Sequence, residues 1–331
     1  MLKGLYIMNE RSFDLVYPAD VRNEIEEIVD IYAPPLTSQS LREDLSILQE
    51  AECLFTGWGA PELTRDLLEK APNLKVIFYA AGSIKKIATD AFWKSDVKIT
   101  TAAEANAIPV QEFTLSQVLF CLKNGWQYVK DIRINKAYPE KPYSFSGAYN
   151  STAGIISLSK IGRGVCELLK PFEINLLAYD PFVSEQEAEL LGVSLCSLDD
   201  LFSKSDVVSL HAPLLEETRE LIKREHFKLM KPNAAFINTA RGAIVKEAEM
   251  IEVLQERKDI TAVLDVTFPE PPPLNSVLYT MPNVVLTPHL AGSQGEECGR
   301  MGNYMLEELK KYVKGEKLQW QVNYQAFIKQ A

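Results

Sequence analysis

Gly154-Ile155-Ile156-Ser157-Leu158-Ser159-Lys160-Ile161-Gly162-Arg163-Gly164-Val165-Cys166-Glu167-Leu168-Leu169 is the stretch on which the reading of this chain turns. An apolar run enters it, and Val165, Leu168 and Leu169 then recur at helical spacing until Pro171 stops the pattern. The segment therefore predicts a strand, a tight turn and a helix. Ile174, Leu176, Leu177 and Ala178 follow as a short buried strand that ends on Asp180 and is closed by Pro181. The result is a strand–helix–strand unit with an acid at the end of its second strand.

Such a turn accepts a dinucleotide when it reads Gly-x-Gly-x-x-Gly, with an acid about 20 residues further on to bind a ribose. Here the three glycine positions hold Ser157, Ser159 and Gly162, and Asp180 stands close to the expected distance. Serine adds a Cβ where backbone must approach a pyrophosphate, and a hydroxyl able to bond phosphate. The helix amino end still offers an anion its N–H groups and its dipole. Taken alone, the turn fits a ligand-free βαβ unit as well as it fits a cofactor site.

With 331 residues and 47% hydrophobic content, the chain has the length and apolar material for two domains. A net charge of −10 and a pI of about 5.1 speak against nucleic acid or an anionic membrane as partner, since both demand a basic face. Lys310, Lys311, Lys314 and Lys317 alternate with apolar residues and read as a solvated helix face. Scattered cysteines without a Cys-x-x-Cys pair fit reduced thiols in the cytoplasm. No Cys or His cluster has metal-site spacing. The amino end becomes charged at Glu10 and Arg11, too early for a signal peptide or a membrane span, and reads as a first strand.

Short apolar runs at 5–8, 53–56, 76–79 and 97–100 alternate with helical stretches such as 21–29 and 61–70, which predicts an α/β unit with a parallel sheet. A long apolar helix over 108–122 follows, with Pro109 in its first turn. Residues 124–151 carry Trp126, Tyr128, Tyr138, Tyr143, Phe145 and Tyr149 and are expected to form an irregular arm, favoured as the contact of a homodimer. A second α/β unit begins at Ala153, with further strands near 207–210, 234–238, 261–265 and 284–286. A final helix over 295–313 carries the chain onward, and the tail 320–327 is expected to pack back on the first unit.

Three polar residues directly follow these later strands, at the carboxyl ends where open α/β sheets bind ligands. They are Arg241 in Asn238-Thr239-Ala240-Arg241-Gly242, Glu270 in Asp265-Val266-Thr267-Phe268-Pro269-Glu270-Pro271, and His289 in Thr287-Pro288-His289-Leu290-Ala291-Gly292. Hydride transfer to a 2-oxo acid requires a clamp for the carboxylate, a proton donor for the carbonyl oxygen and a group that keeps that donor charged. Arginine's planar fork suits the clamp. Histidine suits the donor, with a neighbouring carboxylate to stabilise the imidazolium and orient the ring. Each residue alone also has a structural reading: Arg241 as a solvated loop residue, Glu270 as an exposed residue among prolines, His289 as a hydrogen-bonded structural group. His226, in the charged stretch 223–228, is expected at the surface. His211, in His211-Ala212-Pro213, either lines a cofactor cleft or caps its strand.

Together and in this order, Asn238-Thr239-Ala240-Arg241-Gly242-Ala243-Ile244-Val245, the segment from Asp265-Val266 to Glu270-Pro271, and Thr287-Pro288-His289 resemble the D-isomer-specific 2-hydroxyacid dehydrogenases. The likeness is specific over 153–297 and extends more weakly over nearly the whole chain. It implies two Rossmann-like or flavodoxin-like α/β domains with parallel sheets and a cleft between them. The substrate domain would be residues 1–101 plus 297–331, and the NAD-binding domain residues 102–296. It implies NAD as cofactor and the interconversion of a small D-2-hydroxy acid and its 2-oxo acid. Arg241 would bind substrate, His289 would be the acid/base and Glu270 its partner. Cofactor contacts are implied for Ser159, Lys160, Ile161, Gly162, Asp180, His211, Ala212, Pro213, Thr239, Ala240, Arg241, Asp265, His289 and Gly292. Among these, Asp265 would hold the nicotinamide carboxamide, and Asp180 would exclude NADP by repelling its 2′-phosphate.

In the first unit, Ala81, Gly82 and Ser83 match the family's loop whose amides hold the substrate carboxylate. Gly57-Trp58-Gly59 is expected near it, with Trp58 equally readable as a packing anchor. A phosphorylated substrate would ask for a further basic pocket, for which the sequence offers only Lys85 and Lys86. The serine pair departs from the family pattern. An alternative reading is an NAD(H)-sensing protein on the same fold with weak or no turnover; retention of Arg241, Glu270 and His289 argues against it.

Overall fold

The computed structural model describes residues 1–140 and 147–329; Tyr143 and Phe145 of the aromatic arm lie outside them. The chain divides into two compact units, Met1–Ala107 with Ser293–Ala331, and Ile108–Gly292. In the first, β1 (Leu2–Ile7), β2 (Val29–Ile31), β3 (Cys53–Thr56), β4 (Val76–Tyr79) and β5 (Lys98–Thr101) form a parallel sheet ordered β2-β1-β3-β4-β5. Parallel sheets are covered on both faces, so β3 and β4 are buried throughout. Successive side chains alternate between faces. Tyr6, Phe55 and Phe78 enter one core with Met301, Met305 and Leu309 of the helix Glu297–Val313. Leu5, Leu54 and Ile77 enter the other with Leu67, Phe92 and Val322.

The carboxyl-terminal tail packs on this unit as its sequence predicts. Gln321 bridges to Thr100, the Thr101 amide donates to the Trp320 carbonyl (3.1 Å), and Val322 fills the second core. Glu308 holds it from below: its fully buried carboxylate accepts the amides of Gln319 (2.9 Å) and Trp320 (3.0 Å). The alternation of lysines with apolar residues conceals this one buried acid.

In the second unit, β6 (Tyr149–Ile156), β7 (Glu173–Tyr179), β8 (Ser194–Leu195), β9 (Val207–Leu210), β10 (Ala235–Asn238), β11 (Thr261–Leu264) and β12 (Val284–Leu286) are all parallel and ordered β12-β11-β10-β9-β6-β7-β8. The strand order reverses between β6 and β9. At such a switch point the loops after neighbouring strands diverge and leave room for a ligand at their carboxyl ends. Ile156, Val208, Leu210 and Phe236 pack on one face with Phe202 and Phe227, and Ile155, Val207, Ile237 and Val263 on the other with Val118, Val165 and Leu169. Each such side chain contributes about 1.5–3 kcal/mol by leaving water.

Four elements differ from the sequence reading. The apolar helix runs Ala103–Leu122, so Pro109 lies inside it and not in its first turn; the Asn106 amide already donates to the Ala102 carbonyl, closing a turn upstream. The arm contains a regular helix, Gly125–Asn135, where the sequence reading expects an irregular segment; none of its residues is fully buried. The short edge strands β2 and β8 carry too few residues to show a period.

Candidate active site

The turn after β6 is built from its two serines. Ser157 takes φ +74°, the left-handed region that glycine occupies freely, and its amide donates to the Tyr179 carbonyl (2.8 Å). Ser159 is the N-cap of the helix Lys160–Leu169: its hydroxyl accepts the Gly162 amide (3.4 Å) and donates to the His211 carbonyl (2.8 Å), tying the turn to the end of β9. At Gly162 a Cβ would lie 2.1 Å from the Ser157 carbonyl oxygen, so only glycine fits. At the end of β7, Asp180 accepts the Leu158 amide (2.8 Å) and the Ser157 hydroxyl (3.2 Å) on Oδ2, and the Phe182 amide (2.9 Å) on Oδ1. A tight cradle, a capped helix amino end and an adjacent carboxylate fit a dinucleotide.

Arg241 follows β10. Asn238 brackets the turn that presents it, accepting the Ala240 amide on Oδ1 (3.0 Å) and donating from Nδ2 to the Arg241 carbonyl (3.2 Å). The guanidinium donates to the Ala240 carbonyl (2.7 Å); burial lowers its pKa from the ordinary value, and the charge of Glu270 opposes that shift. Thr239 is buried and meets Thr114 of the long helix, hydroxyl to hydroxyl, at 3.4 Å. The next residue, Gly242, passes so close to the Glu270 loop that a Cβ would sit 2.1 Å from the Thr267 carbonyl.

His289 stands after β12 with φ +53°, its amide donating to the carbonyls of Asp265 and Thr287 (both 3.0 Å). Buried Asp265 holds that loop. Its Oδ1 accepts the Thr287 hydroxyl (2.6 Å) and the Leu290 amide (2.9 Å), and its Oδ2 accepts the Ala291 amide (3.0 Å). The loop thus fixed sets His289 Nδ1 2.6 Å from Glu270 Oε1. Glu270 is itself shaped by neighbours: the Thr267 hydroxyl donates to the Pro269 carbonyl (2.8 Å), and the Phe268 amide donates to Glu247 (3.1 Å). Glu270 and His289 line a cavity of about 390 Å³ with Asp265, Thr267, Tyr279 and Thr287. Sequence reasoning singled out Arg241, Glu270 and His289 but not the residues that position them: Asn238, Gly242, Glu247 and Thr287.

His211 directly follows β9 with its ring in the interior, 4% exposed, and Nε2 2.9 Å from the Ser209 hydroxyl; burial lowers its pKa to about 3. Ala212 is buried beside it, and the Pro213 carbonyl accepts the Thr218 hydroxyl (2.6 Å). His226 is not at the surface as its charged neighbours suggest. It is buried, accepts the Lys223 amide at Nδ1 (2.9 Å) and lies against the Phe202 ring, and burial lowers its pKa. The Lys160 carbonyl accepts from Gln111 (3.4 Å), Ile161 is half-buried, and Gly292 closes the second unit. Ala81, Gly82 and Ser83 belong to the first unit, just after β4. There the Ala81 amide donates to the Tyr79 carbonyl (2.8 Å) and the Tyr79 hydroxyl to the Ser83 carbonyl (3.3 Å). Trp58 packs against both cores of that unit, as a packing anchor does, and Lys85 Nζ sits 4.7 Å from the centre of the Phe327 ring. Among the described residues no group of three or more His, Cys, Asp or Glu is placed to hold a metal ion.

A turn that fits a dinucleotide and a histidine–carboxylate pair stand on the strand ends of one parallel sheet, as in an α/β nucleotide-binding domain. Residues 115–291 match the family model described as D-isomer specific 2-hydroxyacid dehydrogenase, NAD binding domain. The chain belongs to that family, and the second unit is its NAD-binding domain. Over 294 residues it is 34% identical to the D-3-phosphoglycerate dehydrogenase of Methanocaldococcus jannaschii, covering 88% of this chain and 55% of that one. It is 31% identical to the hydroxypyruvate reductase of Thermotoga maritima, covering 83% and 89%. The chain spans about half the length of the phosphoglycerate dehydrogenases it matches. The NAD-complexed D-isomer specific 2-hydroxyacid dehydrogenase from Lactobacillus delbrueckii ssp. bulgaricus shares the fold, with a TM-score of 0.80, 23% identity, and coverage of 97% of this chain and 100% of that one.

Proposed function

We propose that this protein interconverts a small, unphosphorylated D-2-hydroxy acid and its 2-oxo acid, with NAD carrying the hydride. The observation that carries the reading is the 2.6 Å contact between His289 Nδ1 and Glu270 Oε1, beside Arg241. With Nδ1 committed to Glu270, Nε2 is the atom that delivers a proton to the carbonyl oxygen on reduction and takes it back on oxidation. Glu270 orients the ring through this contact. Arg241 pairs its fork with the substrate carboxylate. The amides of Ala81, Gly82 and Ser83 are assigned to the same carboxylate, and Asp180 to the adenosine ribose of NAD. Asp265 is assigned to the nicotinamide carboxamide; its carboxylate accepts three bonds within the loop and retains one of about four acceptor positions.

Of the two lysines the sequence offers to a phosphate group, Lys85 is engaged over an aromatic ring, which favours an unphosphorylated substrate. Five free cysteines suit a reducing cytoplasm. Homodimerisation through the arm is supported by exposed Phe120, Ile132, Ile134, Tyr138 and Tyr149 on and beside a helix that buries none of its residues. The test is NADH oxidation with a panel of 2-oxo acids of graded size together with phosphohydroxypyruvate. Small 2-oxo acids should be reduced, and His289→Ala and Arg241→Ala should each lose about 10²–10⁴-fold in kcat/KM. NADH binding without turnover of any 2-oxo acid, or turnover of the phosphorylated one alone, refutes the reading.

A further inference from the structure

We infer that Ser157 limits how tightly the cofactor site holds NAD, because its hydroxyl competes with the adenosine ribose for Asp180. The inference rests on the assignment of Asp180 to that ribose. A carboxylate offers about four acceptor positions. Among the described residues, Asp180 spends both positions of Oδ2 on the Leu158 amide (2.8 Å) and the Ser157 hydroxyl (3.2 Å), and one of Oδ1 on the Phe182 amide (2.9 Å). A vicinal diol reaching for both oxygens therefore meets a single open position. The two backbone amides are fixed by the chain path; the hydroxyl of Ser157 is the one occupant that a side chain contributes. With glycine at this position, Oδ2 would be open to the second ribose hydroxyl.

The other serine takes no part in this. Ser159 has its hydroxyl between the Gly162 amide and the His211 carbonyl, as a helix cap. Ser157 instead holds a left-handed backbone, φ +74°, which disfavours an L-residue, and its hydroxyl bond to Asp180 offsets part of that cost. At 3.2 Å that bond is long for a hydroxyl on a carboxylate, whose usual range is about 2.5–2.7 Å, so a ribose hydroxyl can displace it. Its removal is worth a modest gain in affinity, about three- to tenfold.

The experiment measures dissociation constants by NADH fluorescence on the full chain for the wild type, Ser157→Gly, Ser157→Ala and Asp180→Ala. Both serine variants should bind NADH about three- to tenfold more tightly. NADH lacking the adenosine 2′- and 3′-hydroxyls should show no gain, and adding Ser157→Gly to Asp180→Ala should change nothing. Unchanged or weaker binding in the serine variants overturns the inference, as does a gain that survives loss of the ribose hydroxyls. A gain confined to glycine also overturns it, since the burden would then be the Cβ. If Asp180→Ala leaves NADH binding unaltered and does not admit NADPH, the assignment of Asp180 itself fails; if that variant behaves as assigned and only the serine variants do not, the competition alone is refuted.

Discussion

Replacing Asp265 by alanine should cost the second unit more than any loss of packing volume would. Three donors converge on its carboxylate at 2.6, 2.9 and 3.0 Å, and the residue is 2% exposed. Deleting one partner of a bond to a charged acceptor costs about 1.5–3 kcal/mol when the donor stays dry. The Thr287 hydroxyl can rotate to water, whereas the Leu290 and Ala291 amides are held by the chain, so the expected loss is about 4 kcal/mol. Asparagine keeps the shape but brings one oxygen and one amino group. With its oxygen serving Thr287 and Leu290, its amino group faces the Ala291 amide, donor against donor, and the loss falls to about 2 kcal/mol. Thermal unfolding without cofactor excludes ligand stabilisation from the comparison. For a unit of this size each kcal/mol is worth about 2–4 °C, so the alanine variant should melt roughly 8–16 °C lower and the asparagine variant roughly half as much. His289 rides on the same loop, so both variants should also lose turnover. An alanine variant that melts within about 2 °C of wild type would show that the loop does not depend on this carboxylate.

Two other buried groups give separate predictions. Burial holds His211 neutral, with a pKa of about 3 against an ordinary 6.5, so the unfolded chain takes up its proton first. The folded state therefore keeps this contribution above pH 6.5 and loses it, on the order of 1.4 kcal/mol per pH unit, as pH falls toward 3. His211→Asn should flatten the acid side of the thermal-midpoint profile over that window; parallel profiles would contradict the assignment. Glu308→Ala strands the amides of Gln319 and Trp320, should cost about 2–4 kcal/mol, and should speed tryptic cleavage at Lys317. Unaltered cleavage and melting would mean that the tail is held by its apolar residues alone.

The strands, the helix Lys160–Leu169 and the positions of Arg241, Glu270 and His289 were legible because each rests on a local signal: an apolar run, a helical period, a polar residue directly after a strand. What aims those residues was not legible, because it depends on segments far apart in the chain meeting closely. Gly242 must be glycine on account of the Thr267 carbonyl, and Asp265 closes a loop that begins more than a strand away. His226 misled for the converse reason: Lys223, Arg224, Glu225 and Lys228 describe its helix as solvated, while one face rests on Phe202. The serine pair shows how a motif divides into separate physical demands. Position 162 tolerates no side chain, because a carbonyl oxygen occupies the space. Position 159 is an extended N-cap, φ −62° and ψ 179°, where serine is a preferred residue. Position 157 demands a left-handed backbone, which serine adopts at modest cost and with a hydroxyl in reach of Asp180. Two glycines can therefore be replaced without loss of the turn, and only the replacement at 157 takes up an acceptor position of the neighbouring carboxylate.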